Sequence, residues 1–86
     1  MSYTITINKQ AKKKLETLEQ RLPAKLIDKI NLLGRDPFDL SLDVKRLVGE
    51  PLYRLRVGDW RVIFDRQDEL KIISIGKIGA RGDVYK

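Results

Sequence analysis

The chain has 86 residues, 42% of them hydrophobic and 35% charged, with 6 Gly and 3 Pro, a composition that predicts one small folded domain over residues 1–86. It contains no cysteine and no histidine, which excludes a disulfide scaffold, cysteine-ligated zinc or iron–sulfur sites and thiol catalysis and removes the commonest general base and the commonest metal ligand; no cofactor is expected. Lys and Arg number 18 against 12 Asp and Glu, a net charge of +6 that points to a polyanion, nucleic acid or a membrane surface, as partner.

Tyr3-Thr4-Ile5-Thr6-Ile7 alternates with period two and predicts a first strand. Asn8 is a helix N-cap, and Ala11, Leu15, Leu18 and Leu22 then recur on one helical stripe, with Lys12, Lys13 and Lys14 on the solvated side. Pro23 ends that helix and starts a second, whose buried face is Leu26, Ile27, Ile30 and Leu33 and whose C′ residue is Gly34. The two form an antiparallel helical hairpin. Asp36-Pro37 marks a turn in the following loop, and Asp43 to Val48 carries no clear pattern. Three strands are predicted next, Tyr53–Val57, Trp60–Arg66 and Leu70–Gly76, with Lys77 to Lys86 as a tail. The fold class is α+β: an N-terminal strand, a helical hairpin, then a three-stranded antiparallel meander, with the helices on one face of a mostly antiparallel sheet. No apolar run approaches ~18 residues and Met1-Ser2-Tyr3 leads directly into folded-looking sequence, so neither a membrane span nor a signal peptide is expected, and the cytoplasm is the expected compartment.

The positive charge is uneven. Six of the eight arginines lie in residues 44–86. If Gly58-Asp59 is a two-residue hairpin turn, Val57 faces Trp60, Arg56 faces Arg61, Leu55 faces Val62 and Arg54 faces Ile63. Arg54, Arg56 and Arg61 then share one sheet face, while Tyr53, Leu55, Val57, Trp60, Val62 and Phe64 share the other, where the helices cover them. Opposed like charges destabilise a strand pair by a few tenths of a kcal/mol up to about 1. Three guanidiniums on one face suit phosphate oxygens, because the planar fork binds them bidentately. The plainer alternative is a solvated face whose arginines pair with Asp65, Glu50 or a partner's carboxylates. The acids Asp36, Asp39, Asp43, Asp59, Asp65, Asp68, Glu69 and Asp83 are scattered, a poor basis for a carboxylate-bound metal.

Lys45-Arg46-Leu47 with Gly49, Tyr53-Arg54-Leu55-Arg56-Val57, Trp60-Arg61-Val62-Ile63-Phe64, Ile75-Gly76-Lys77, and Arg81 with Asp83-Val84-Tyr85 together resemble the RelE toxin family of the RelE/ParE toxin–antitoxin superfamily, nearly end to end. The resemblance implies a ribosome-dependent ribonuclease that cuts messenger RNA in the A site of the small subunit and is silenced by a cognate antitoxin, with no membrane partner. The family's basic strand pair falls on Arg54 and Arg56, its arginine on the next strand on Arg61, its post-sheet arginine on Arg81 and its late tyrosine on Tyr85. The implied chemistry is metal-independent attack of a 2′-hydroxyl on the adjacent phosphate, with Arg56, Arg61 and Arg81 holding the phosphate and Arg54, Arg46 and Lys77 contacting RNA.

The sequence departs from the family in one respect: arginine stands where the family's first catalytic strand carries lysines. Arginine is a poor base, so the base falls to Tyr85, Lys77 or a group of the RNA or ribosome, and Tyr85, its pKa of ~10 lowered by surrounding arginines, is expected to orient or deprotonate the 2′-hydroxyl. Two other readings stand beside this one: a ParE-like inhibitor of DNA gyrase, and a catalytically weak RNA-binding relative.

Overall fold

The computed structural model describes residues 2–18 and 24–80. In chain order these form β1 (Thr4–Ile7), α1 (Lys9–Leu18), α2 (Ala24–Arg35), β2 (Asp43–Arg46), β3 (Tyr53–Val57), β4 (Trp60–Gln67) and β5 (Ile72–Ala80). The strands make one five-stranded sheet in the order β1-β5-β4-β3-β2, antiparallel except where β1 runs parallel to β5. The helices lie on one face, α1 against β5 and α2 against β3. No described helix is long and apolar enough to cross a membrane.

Local chemistry explains the ends of the elements. Asn8 caps α1 by accepting the Ala11 N–H on Oδ1 (2.8 Å), and its Nδ2 donates to the Gly76 carbonyl (2.9 Å), tying the start of the helix to β5. Leu15, Leu18, Leu22 and Pro23, expected to carry the first helical stripe and its break, have side chains outside the described residues. In α2 the expected stripe buries Leu26, Ile30 and Leu33, but Ile27 is 40% exposed. Its position, one residue past Leu26, turns it about 100° away from the sheet. Gly34 is also not a left-handed cap. The helix continues through Arg35, and a Cβ at Gly34 would stand 2.7 Å from Ile5 Cδ1, so glycine here lets β1 approach the helix closely; Tyr3 N–H donates to the Gly34 carbonyl at 2.6 Å. After α2, the Asp36 carboxylate accepts the Phe38 N–H (3.1 Å), making the expected turn.

Two features of the sheet differ from the sequence expectation. Asp43–Arg46, without clear pattern in sequence, is the edge strand β2, paired antiparallel with β3. The last strand starts at Ile72 rather than Leu70 and runs on to Ala80 instead of ending at Gly76. Ile63 pairs with Lys77 while Phe64 pairs with Ile75, so Gly76 is the extra residue of a β-bulge. The bulge shifts the alternation by one, which keeps both Ile75 and Ile78 on the helix-covered face. The core combines Ala11, Leu26, Ile30 and Leu33 of the helices with Leu55, Val57, Val62, Phe64, Ile73, Ile75 and Ile78 of the sheet. Full burial of side chains of this kind contributes about 1.5–3 kcal/mol each.

Candidate functional site

The other face of the sheet bears the arginines. Gly58 adopts φ +59° while Asp59 keeps a negative φ, so Gly58-Asp59 makes the tight turn of the β3–β4 hairpin with glycine at its first central position. The resulting register pairs Val57 with Trp60, Arg56 with Arg61, Leu55 with Val62 and Arg54 with Ile63. Arg54, Arg56 and Arg61 therefore share the face opposite the helices. Arg56 Nε and Arg61 Nη1 both donate to the Gly58 carbonyl, at 3.4 and 3.0 Å, which bounds the separation of the two nitrogens at the sum of those distances. Arg61 Nη1 also reaches the Trp60 carbonyl (3.1 Å). Among the described residues neither Arg56 nor Arg61 has an ion pair. Two neighbouring cations that share one carbonyl and have no carboxylate partner among the described residues form a cradle for an anion with two or more oxygens.

Arg54 is different. Its Nη2 bridges Asp43 of β2 at 3.1 Å, its side chain is only 17% exposed, and its Nε is buried without a hydrogen-bond partner. Neither Asp65 nor Glu50 pairs with these arginines; the carboxylate that does, Asp43, comes from the strand that sequence left undefined. On the β5 side Gly79 pairs with Arg61, so β5 contributes no side chain at that register position. The described chain ends at Ala80, opposite Trp60 and one register position from Arg61. Arg81 and Tyr85 lie outside the described residues.

Beyond Arg61 the same face deepens into a cleft of about 570 Å³. Lys77 lines it, paired across the sheet with Ile63. Leu47, Glu50 and Leu52 of the β2–β3 connection form one wall, and Asp65 and Ser74 lie beyond. Ile63 is 5% exposed although it lies outside the main core, because it is buried on this second face. Sequence alternation places Asp65 on the arginine face, but only the folded β2–β3 connection brings Glu50 over it.

Arg46 does not join this face. It pairs with Tyr53, and alternation turns it to the helix side, where it borders a groove of about 310 Å³ with Phe38, Leu42, Val44 and Arg66. Arg66, unremarked in the sequence, is held between the Phe38 and Tyr53 rings, 4.5 Å from each centroid, and bridges Asp68 (2.9 Å). Asp68 also accepts the Tyr3 hydroxyl (2.9 Å). Burial and that hydrogen bond raise the Tyr3 pKa above the ordinary phenol value. This network joins the start of the chain to β4 and supports the fold.

Comparison with known proteins agrees with this architecture. The sequence profile of the family described as "ParE toxin of type II toxin-antitoxin system, parDE" matches residues 5–85. RelE1 from Methanocaldococcus jannaschii is 33% identical over 88 residues, covering 100% of this chain and 98% of that one. The archaeal RelE of the RelE–RelB complex from Pyrococcus horikoshii superposes with a TM-score of 0.75 at 33% identity, covering 96% and 99% of the two chains. The Escherichia coli RelBE toxin–antitoxin complex gives a TM-score of 0.75 at 18% identity, over 92% of this chain and 96% of that one, a likeness of fold.

Proposed function

Because this chain belongs to the RelE/ParE superfamily of toxins from type II toxin–antitoxin systems, we propose that it is an endoribonuclease that cuts messenger RNA in the A site of the small ribosomal subunit and so stops translation. The observation that carries the reading is the Arg56–Arg61 pair, opposed across the hairpin, sharing one carbonyl and, among the described residues, without a carboxylate partner. In the reaction the 2′-oxygen bonds to the adjacent phosphorus and the bond to the 5′-oxygen breaks. The products are a 2′,3′-cyclic phosphate and a 5′-hydroxyl; one proton leaves the 2′-hydroxyl and one is taken up by the leaving oxygen. Charge grows on the phosphate oxygens in the transition state, where fixed guanidiniums stabilise it without a metal. Arg56 and Arg61 hold the phosphate together with Arg81, and Tyr85 orients or deprotonates the 2′-hydroxyl. Arg54, tied to Asp43, and Lys77, at the cleft, contact the RNA backbone. Arg46 would do so from the opposite face.

A cognate antitoxin is the expected protein partner, as the relatives from P. horikoshii and E. coli were solved in complex with theirs. A second reading, inhibition of DNA gyrase by protein contact, is favoured by the ParE profile that matches the chain. A purified translation reaction with a defined message, read by primer extension, separates the two. Cuts that require ribosomes and vanish with Arg61→Ala support the nuclease. An intact message together with loss of gyrase supercoiling activity would replace it.

A further inference from the structure

Two residues along β4 from Arg61, about 7 Å of strand, Ile63 floors the cleft, flanked in register by Arg54 and Lys77. The volume, about 570 Å³, lies in the range of small-molecule pockets and accommodates a nucleoside. The floor and the Leu47 and Leu52 wall are apolar, as a base ring requires. The carboxylates are the unexpected part. On a face that only gathered polyanions, Glu50 and Asp65 would repel the phosphates that the neighbouring arginines attract. Asp65 uses one oxygen to accept from Gln67 Nε2 (3.2 Å), which leaves the other for a ligand. Glu50 is exposed and has no hydrogen-bond partner among the described residues.

A carboxylate is acceptor-only and reads hydrogen-bond donors. Adenine, cytosine and guanine each carry an exocyclic amino group on their pairing edge, and acidic side chains accept from such groups. Uracil presents carbonyl oxygens on both sides of its single N–H, so one of them would face a carboxylate. Resting on the nuclease reading of this face, the geometry points to a base-reading subsite. The cleft over Ile63 takes the base of the nucleotide whose phosphate lies on Arg56 and Arg61, and Glu50 and Asp65 select an amino-bearing base over uracil.

Two measurements test it together, on wild type and on the Glu50→Gln/Asp65→Asn double variant, which keeps side-chain shape but replaces pure acceptors with amides. The first is single-turnover cleavage of ribosome-bound messages that differ only in the base at the cut nucleotide. The second is an NMR titration of the protein alone with the four ribonucleoside 3′-monophosphates, followed at the Leu52, Ser74 and Lys77 amides. Wild type should disfavour uridine by about fivefold or more in both, and the variant, with unchanged thermal unfolding, should bring all four bases within about twofold. If wild type cuts nothing but the nucleotides still shift the cleft amides with uridine weakest, the nuclease reading fails and the subsite stands. Equal response to all four nucleotides, shifts confined to other residues, or an unaltered preference in the variant would overturn the subsite and leave the cleft to a protein partner.

Discussion

Replacing Arg56 by threonine should stabilise the fold while removing half of the phosphate cradle. Arg56 and Arg61 are directly opposed and their guanidinium nitrogens meet at the same Gly58 carbonyl. Two unit charges about 6 Å apart repel by about 0.7 kcal/mol at the dielectric of water, and screening at about 0.1 M salt reduces this to about 0.4 kcal/mol. Threonine also has the higher β-propensity, and the bond that arginine loses, Nε to Gly58 O at 3.4 Å, is long. The net gain is about 0.5 kcal/mol at low salt. For a chain of 86 residues the unfolding entropy near Tm is about 0.18 kcal/mol/K, so Tm should rise by about 3 °C. Thermal unfolding followed by circular dichroism at about 0.02 M and about 1 M salt is the assay; the charge part of the gain should vanish at the higher salt, where the Debye length is about 3 Å. Inorganic phosphate should raise the Tm of wild type more than that of Arg56→Thr. A variant less stable than wild type at low salt, or equal stabilisation of both proteins by phosphate, would refute the opposed pair as an anion cradle.

Gly34→Ala should cost about 1–3 kcal/mol in denaturant unfolding, because the new Cβ meets Ile5 Cδ1 at 2.7 Å, and Ile5→Val, which deletes that atom, should recover part of the loss in the double variant. Asn8→Ala should cost about 1 kcal/mol for the lost cap and speed hydrogen exchange of the Ala11 amide. The raised pKa of Tyr3 means that the fold favours the neutral phenol, so its contribution is complete below the ordinary phenol pKa of about 10 and is lost as pH rises through the higher folded value. The stability gap between wild type and Tyr3→Phe, measured by urea unfolding, should therefore be constant up to about pH 9 and narrow above it; a gap that widens would contradict the Asp68 bond as its source.

Alternation made the hairpin legible. Tyr53–Val57 alternates, Trp60-Arg61-Val62 continues the alternation beyond the turn before the apolar Ile63 interrupts it, and Gly58 supplies the positive φ, so the cross-strand pairs and the arginine face follow from period two and one turn rule. Asn8 was equally plain, since a cap acts within three residues of itself. Features set by distant contacts were not legible. Asp43–Arg46 is mostly exposed and becomes a strand only by pairing with β3, and the parallel pairing of β1 with β5 joins opposite ends of the described chain. The Gly76 bulge hides in sequence because it breaks the alternation that would reveal it, and so Ile78 reads as tail when it is core. The site shows the same division. Arg56 and Arg61 come from local register, whereas the Asp43 partner of Arg54, the turning of Arg46 to the helix side and the closure of Glu50 over Ile63 all depend on where β2 and its connection fold.

The most direct test of the nuclease account is single-turnover cleavage on programmed ribosomes of two messages, one all-ribose and one carrying a single 2′-deoxy nucleotide at the cut position, by wild type and Arg61→Ala. The account predicts that the deoxy message stays intact, that wild type leaves a 2′,3′-cyclic phosphate on the ribose message, and that Arg61→Ala slows that cut by about 10²–10³-fold while its unfolding curve stays that of a folded protein. Cleavage of the deoxy message at the ribose rate, or an undiminished rate with Arg61→Ala, would contradict it.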